Sequence, residues 1–269
     1  MTTPPSAHLK SRRSRDDVGL ELGICGVLLV GAALLFFYNL DGVPLRDWDE
    51  GTVARVAQEI AEAPISANRW LSPTLWGDPY WNKPPLVHNL IAWAFRWGGV
   101  STLMARLPSA SLATLSVLAL YRLGRELFRR RFPAVIAALV YLTSLPIARN
   151  GRLAMLDLPS ICFALLAWVA LLRSRRNWHW SLGVGLGLSA VGLTKGAFLA
   201  LLMGALMGGF LVWDTPRLLR TGGWLLGLLL GGLPLIAWYG WQSVQYPQVF
   251  LSTNLDAQAW QRLFTPVEG

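Results

Sequence analysis

Seven stretches of this chain carry no acidic or basic side chain (Asp, Glu, Lys or Arg): 22–40, 107–121, 132–148, 158–172, 177–194, 196–213 and 221–255. A helix needs about 20 predominantly apolar residues to cross the hydrocarbon core of a bilayer. Each run either has that length or can extend into its flanks, 107–121 back to Leu103 for example. The chain therefore reads as all-α, a multi-spanning membrane helical bundle of about seven spans. Composition agrees: 54% of residues are hydrophobic and 14% charged, where soluble domains carry about 25% charged residues. Fourteen Trp and 26 Gly suit interfacial belts and close helix packing. That apolar content excludes intrinsic disorder. Cys25 and Cys162 both sit in apolar stretches, which argues against a disulfide framework or a cysteine zinc site.

Between the runs stand basic clusters at 10–15, 122–131, 173–176 and 217–220. One segment decides how they are sorted. Residues 84–100 hold an uncharged core of twelve residues before Arg96, and a core that short lies in the interface more often than it spans. If the segment does not cross, all four clusters face one side. The clusters and their neighbours hold 14 Lys/Arg and five acids, a surplus equal to the net charge of +9. The remaining ten Lys/Arg and ten acids balance on the other side. This is the pattern of a cytosolic basic face, so the basic character reports topology and gives no support for a nucleic-acid partner. The first run lacks a small-residue cleavage site and reads as a signal anchor. The resulting organisation is a disordered cytosolic tail at 1–17, a transmembrane domain at 18–242 with a first outer loop at 41–102, and the start of a further outer loop at 243–269, where the chain reads as truncated. The location implied is a bacterial inner membrane, multi-pass, with the N-terminus cytosolic.

The outer charges are few and concentrated. The first loop opens on Asp47-Trp48-Asp49-Glu50 and closes on Tyr80-Trp81-Asn82-Lys83-Pro84-Pro85. Between them Val53, Val56, Ala57 and Ile60 recur at i, i+3, i+4 and i+7, with Arg55, Gln58, Glu59 and Glu62 on the other face. That predicts an amphipathic helix lying on the membrane. Asp49 and Glu50 fall at its N-terminus, where an acid can cap the helix and still face a cleft. Lys83 is presented from a proline-stiffened turn, or else is an interfacial lysine that snorkels. Lys195, in Gly192-Leu193-Thr194-Lys195-Gly196, lies between two apolar runs. A charge there is costly unless paired or facing water, and is a functional candidate by default. Asp157, in Met155-Leu156-Asp157-Leu158-Pro159, is its acidic counterpart, with a structural pair to Arg149 or Arg152 as the alternative. Acids and cations sharing one outer cleft would suit a phosphate-linked lipid. Cations hold the phosphate as it leaves, and a carboxylate takes a proton from an attacking hydroxyl.

These residues also resemble a known family. Asp49-Glu50 before an amphipathic helix is similar to the first-loop acidic motif of the polyprenyl-phosphate-dependent glycosyltransferases with the GT-C fold. The nearest branch contains the protein O-mannosyltransferases and the lipid A aminoarabinose transferases. Tyr80-Trp81-Asn82-Lys83-Pro84-Pro85 resembles its aromatic-x-Glu-Lys-Pro-Pro motif, and Ala105-Arg106-Leu107-Pro108-Ser109-Ala110 its entry to a span. Ala154-Met155-Leu156-Asp157 and Leu193-Thr194-Lys195-Gly196 follow in the same order. The likeness covers about 40–260 and matches the N-terminal half of such an enzyme.

The resemblance implies a glycosyltransferase with a polyprenyl-phosphate sugar donor, a lipid, protein or glycan acceptor, and membrane lipids around it. It implies Asp49, Glu50 and Asp157 as catalytic acids, and Lys83, Lys195 and Arg55 at the donor phosphate. A basic residue that follows the acidic pair in the family is Thr52 here, and Arg55 is the nearest substitute. Some members use an acid before the Lys-Pro pair to ligate a divalent metal; here Asn82 stands in that place. No metal ligand is assigned, and no cofactor beyond such an ion is implied. Two other readings fit the charge pattern less well: a lipid or solute carrier, which predicts duplicated halves absent from this sequence, and a non-catalytic assembly subunit.

Overall fold

The computed structural model describes residues 6–46, 48–247 and 250. Among these residues ten α-helices are bounded, in chain order: α1 Ser6–Phe37, α2 Asp49–Glu62, α3 Leu86–Gly98, α4 Thr102–Phe128, α5 Arg131–Thr143, α6 Leu145–Asn150, α7 Asp157–Ser174, α8 Ser181–Lys195, α9 Ala197–Asp214 and α10 Gly222–Gln245. One two-stranded hairpin, β1 Thr74–Leu75 with β2 Asp78–Pro79, interrupts the helical pattern within the first loop.

Each of the seven apolar runs holds a helix, and among the described residues five are long and apolar enough to cross a membrane: Asp17–Phe37 within α1, and α4, α7, α9 and α10. α5 and α8 have 13 and 15 residues, which at about 1.5 Å per residue falls short of a ~30 Å hydrocarbon core. Each shortening has a local cause. The run 132–148 breaks at Ser144, which is extended (ψ 133°), because Pro146 cannot continue the helix and opens α6 instead. The run 177–194 begins as a 3-10 turn, Trp178–Trp180, so its helix starts only at Ser181. At the N-terminus α1 starts at Ser6, inside the segment expected to be a disordered tail. Between Pro5 and Gly19 the sequence has neither proline nor glycine to stop a helix. Residues 1–5 of that tail, and 251–269 of the expected final loop, lie outside the described residues.

Two packed cores sit in the span region. One joins α1, α4, α5 and α7 through Leu28, Ala32, Phe36, Ala110, Ala113, Ala134 and Leu158. The other joins α7, α8, α9 and α10 through Ala167, Leu171, Val184, Met207 and Trp224. Small residues let the backbones approach, as lipid-embedded helices require. Gly227 and Gly231 of α10 lie against α8, so their four-residue spacing serves packing inside the bundle. Ser189 Oγ donates to the Gly231 carbonyl across the same seam at 2.8 Å. A Cβ on Gly185 would collide with the Leu228 carbonyl and come within 2.8 Å of the Gly231 Cα. Both obstacles are backbone, which no rotamer change relieves. Gly185→Ala should therefore lower stability by about 1–3 kcal/mol, despite a gain in helix propensity of about 1 kcal/mol. Thermal unfolding in detergent measures the difference, and an unchanged midpoint would contradict the packing described.

A third core lies at the end of the bundle that carries the first loop. Val53, Val56, Ala57 and Ile60 of α2 meet Val87, Ile91, Ala92 and Phe95 of α3. These are the apolar positions of the amphipathic pattern. Trp93 and Trp97 project from the other side of α3, 66% and 85% exposed, as interfacial aromatics do. α10 holds this loop domain in place, since Trp238 Nε1 and Gln242 Nε2 both donate to the Leu71 carbonyl.

Candidate active site

The first-loop end of the bundle contains a cleft of about 470 Å³ whose lining includes Asp49, Lys83, Asp157 and Lys195. Four residues spread over nearly 150 positions converge because four elements end there. Asp49 opens α2 and Asp157 opens α7. Lys195 closes α8, where Gly196 takes φ +111° to turn the chain into α9. Lys83 precedes Pro84 and Pro85, which lead into α3. Trp48, Trp76, Tyr80 and Asn82 also line the cleft.

The charged groups differ in their surroundings. Lys195 Nζ donates to Asp157 Oδ1 at 2.8 Å, with 27% and 41% of the two side chains exposed. Asp157 thus pairs with the lysine, and not with Arg149 or Arg152. Asp49 does not cap its helix: Trp48 occupies the cap position and no side chain bonds there. Among the described residues the Asp49 carboxylate has no hydrogen-bonding or ionic partner, and Asp49 lines the cleft.

Glu50 and Arg55 are placed elsewhere. The Glu50 carboxylate is fully buried and outside the cleft. It accepts from Arg106 Nε and Nη2, both at 2.8 Å, from the Ala154 amide at 2.7 Å, and from the Arg46 amide at 3.2 Å. These bonds tie the start of α2 to Arg106 of α4 and to the segment that leads into α7. Arg55 Nε bonds Glu59 at 3.0 Å, and its guanidinium stacks on the Trp76 ring at 4.5 Å. Arg55 therefore reaches the cleft through Trp76 and does not line it.

Two structural residues had little sequence signal. Arg106 ties Glu50 to the Leu40, Val43 and Pro44 carbonyls, and only its place in the Arg-Leu-Pro-Ser motif marked it. Glu59, expected on a solvated face, accepts from the Thr74 hydroxyl at 2.6 Å and the Trp76 amide at 2.7 Å. It thereby holds the hairpin turn, where Trp76 and Gly77 both adopt positive φ (58° and 86°), as a two-residue type I′ connection demands. That turn aims Trp76 at the cleft.

Burial opposes ionisation of Glu50 and Glu59, yet the Arg106 guanidinium in one case and the Thr74 hydroxyl with two backbone amides in the other leave both carboxyls below their ordinary value. His88, fully buried in α3, has its Nδ1 3.3 Å from the Pro84 carbonyl. Burial pushes its pKa down from 6.5 to about 4. The two carboxylates stabilise the fold above the ordinary carboxyl range, and that contribution is lost as pH falls through their lowered values. His88 acts in the same direction. Between pH 6.5 and about 4 the unfolded chain takes up a proton that the folded chain refuses, a loss of roughly 3 kcal/mol. The thermal midpoint should fall on acidification from neutrality, and His88→Gln should flatten the upper part of that decline. A midpoint independent of pH down to 4 would contradict the arrangement.

Among the described residues no three His, Cys, Asp or Glu side chains gather as a metal site. Asn82 stands where the resemblance places an acid, so the described residues of the cleft do not make a donor set for a resident divalent ion.

A bundle of apolar helices with a cleft of acids and lysines at one end defines a multi-pass membrane protein. Comparison with known proteins is specific: residues 82–241 match the dolichyl-phosphate-mannose-protein mannosyltransferase family, and the chain belongs to that family. An undecaprenyl phosphate-alpha-4-amino-4-deoxy-L-arabinose arabinosyl transferase of Pseudomonas aeruginosa is 31% identical over 200 residues, 72% of this chain and 33% of its own length. The protein of the same name from an Enterobacter species is 28% identical over 240 residues, 87% of this chain and 39% of its own length. The chain thus spans about a third of the length of the curated relatives it matches. The crystal structure of ArnT from Cupriavidus metallidurans bound to undecaprenyl phosphate superposes with a TM-score of 0.73 at 20% identity, covering 89% of this chain and 44% of that one. The apo structure of the same protein gives 0.69. The fold is that of the GT-C membrane glycosyltransferases.

Proposed function

We propose that the protein is a membrane glycosyltransferase that moves a sugar from a polyprenyl phosphate to an acceptor hydroxyl or phosphate oxygen. It would act on the periplasmic side of a bacterial inner membrane, with its N-terminus cytosolic. The carrying observation is the convergence of Asp49, Lys83, Asp157 and Lys195 on one cleft at the rim of the bundle. In a single displacement, the acceptor oxygen bonds the anomeric carbon as the bond from that carbon to the phosphate oxygen breaks. Asp49 takes the acceptor's proton. The departing phosphate keeps the bonding electrons, and Lys83 and Lys195 hold its charge. Asp157 orients Lys195 through their ion pair. An apolar crevice of about 730 Å³ between α8, α9 and α10, lined by Leu188, Leu201 and Leu235 among others, suits an isoprenoid tail.

The test uses membranes containing the protein and radiolabelled undecaprenyl phosphate 4-amino-4-deoxy-L-arabinose, with a mannose-bearing donor in parallel. Protein-dependent release of undecaprenyl phosphate, with label moving to an acceptor, is expected from one of the two donors. Donor binding without release from either would favour a carrier or an assembly subunit and overturn the reading.

A further inference from the structure

The protein holds a second polar cavity of about 230 Å³. Four arginines line it, Arg46, Arg106, Arg149 and Arg152, and its lining holds no Asp or Glu. It shares no lining residue with the cleft. Arg46 and Leu153 line this cavity, and Asp49 and Met155, two or three positions further along the chain, line the cleft.

Among the described residues the charge of this cavity is not balanced from within. Arg106 is neutralised by Glu50. Arg152 donates to the Tyr38 and Asn39 carbonyls, which orient the guanidinium but carry no charge. Among the described residues, Arg46, Arg149 and Arg152 have no carboxylate partner. Arg46 and Arg149 are exposed and Arg152 partly so, and an anion placed among them would offset charge that no carboxylate among the described residues offsets. Guanidinium forks match phosphate oxygens in pairs, with charge-assisted hydrogen bonds. The location points the same way. The cavity sits where α1 ends and α6 begins, and Tyr38 and Leu145 beside it are 74% and 76% exposed, as side chains that meet lipid would be.

We propose that this cavity binds a phosphate-bearing anion, separately from the cleft, with the phosphate of a lipid headgroup or free phosphate as its two sources. The inference does not depend on sugar transfer. The phosphate bridges Arg149 on α6 with Arg46 and Arg152, so its binding also braces the stretch that carries Asp49.

The test measures ligand retention by native mass spectrometry on the whole protein in detergent. One arm titrates phosphatidylglycerol against phosphatidylcholine, and the other titrates inorganic phosphate. Arg46→Gln/Arg149→Gln is the disrupting variant, and Arg46→Lys/Arg149→Lys keeps the charge. Wild type is expected to retain the anionic lipid or phosphate, and the glutamine variant to bind it about thirtyfold more weakly. The lysine variant should keep most of the affinity, and unchanged thermal midpoints should show that the variants fold. Preference for phosphatidylglycerol assigns the lipid source; binding of inorganic phosphate alone assigns the free ion. Equal retention by wild type and the glutamine variant, or no binding of either ligand, overturns the proposal.

Discussion

Asp49→Asn is expected to lower sugar transfer by about a hundred- to ten-thousandfold, the usual contribution of a positioned general base, while the thermal midpoint stays unchanged. The separation of the two readouts follows from its surroundings. Asp49 lines the cleft and caps nothing, and its carboxylate has no partner among the described residues. Its loss therefore removes no bond on which the fold depends. Asparagine keeps the volume and cannot accept the acceptor's proton. Transfer measured with a labelled polyprenyl-phosphate sugar checks the first readout, and a thermal melt in detergent the second. Full activity of the variant would remove Asp49 from the mechanism.

Arg106→Met should produce the opposite division, a loss of stability of about 3–5 kcal/mol, as when one member of a buried ion pair is deleted. Arg106 is 4% exposed and its partner Glu50 is fully buried. Without the guanidinium, Glu50 keeps only the Ala154 and Arg46 amides, and the Leu40, Val43 and Pro44 carbonyls lose their donor. Replacing both partners, Glu50→Gln with Arg106→Met, should cost less than Arg106→Met alone, because no buried charge is then left unpaired. Thermal midpoints of the single and double variants measure this. A double variant less stable than the single would contradict the pairing.

These two expectations concern neighbouring acids that the sequence treats alike. On a helix, adjacent residues point about 100° apart. The periodicity of α2 locates its apolar face correctly at Val53, Val56, Ala57 and Ile60, and it says that Asp49 and Glu50 stand at the helix start. It does not say which of them turns to the cleft. That depends on Arg106, which lies 56 residues further along the chain. Glu59 is a similar case: its helical position marks it as polar, and only the return of the hairpin brings Thr74 and Trp76 onto it.

The amino-acid sequence alone determined the class of molecule. Water-averse runs and sorted basic clusters act over whole segments, so the helical bundle, its first loop and the order of its motifs can be read without coordinates. Local chemistry determined some breaks as well, such as Pro146 ending α5 before the run does. The tertiary structure decided which charges meet. Asp157 chose Lys195 over the arginines near it in sequence, Glu50 paired with Arg106, and Arg55 was turned against Trp76. Hydrophobicity sums along a chain, whereas an ion pair is made within about 4 Å between residues that only packing brings together.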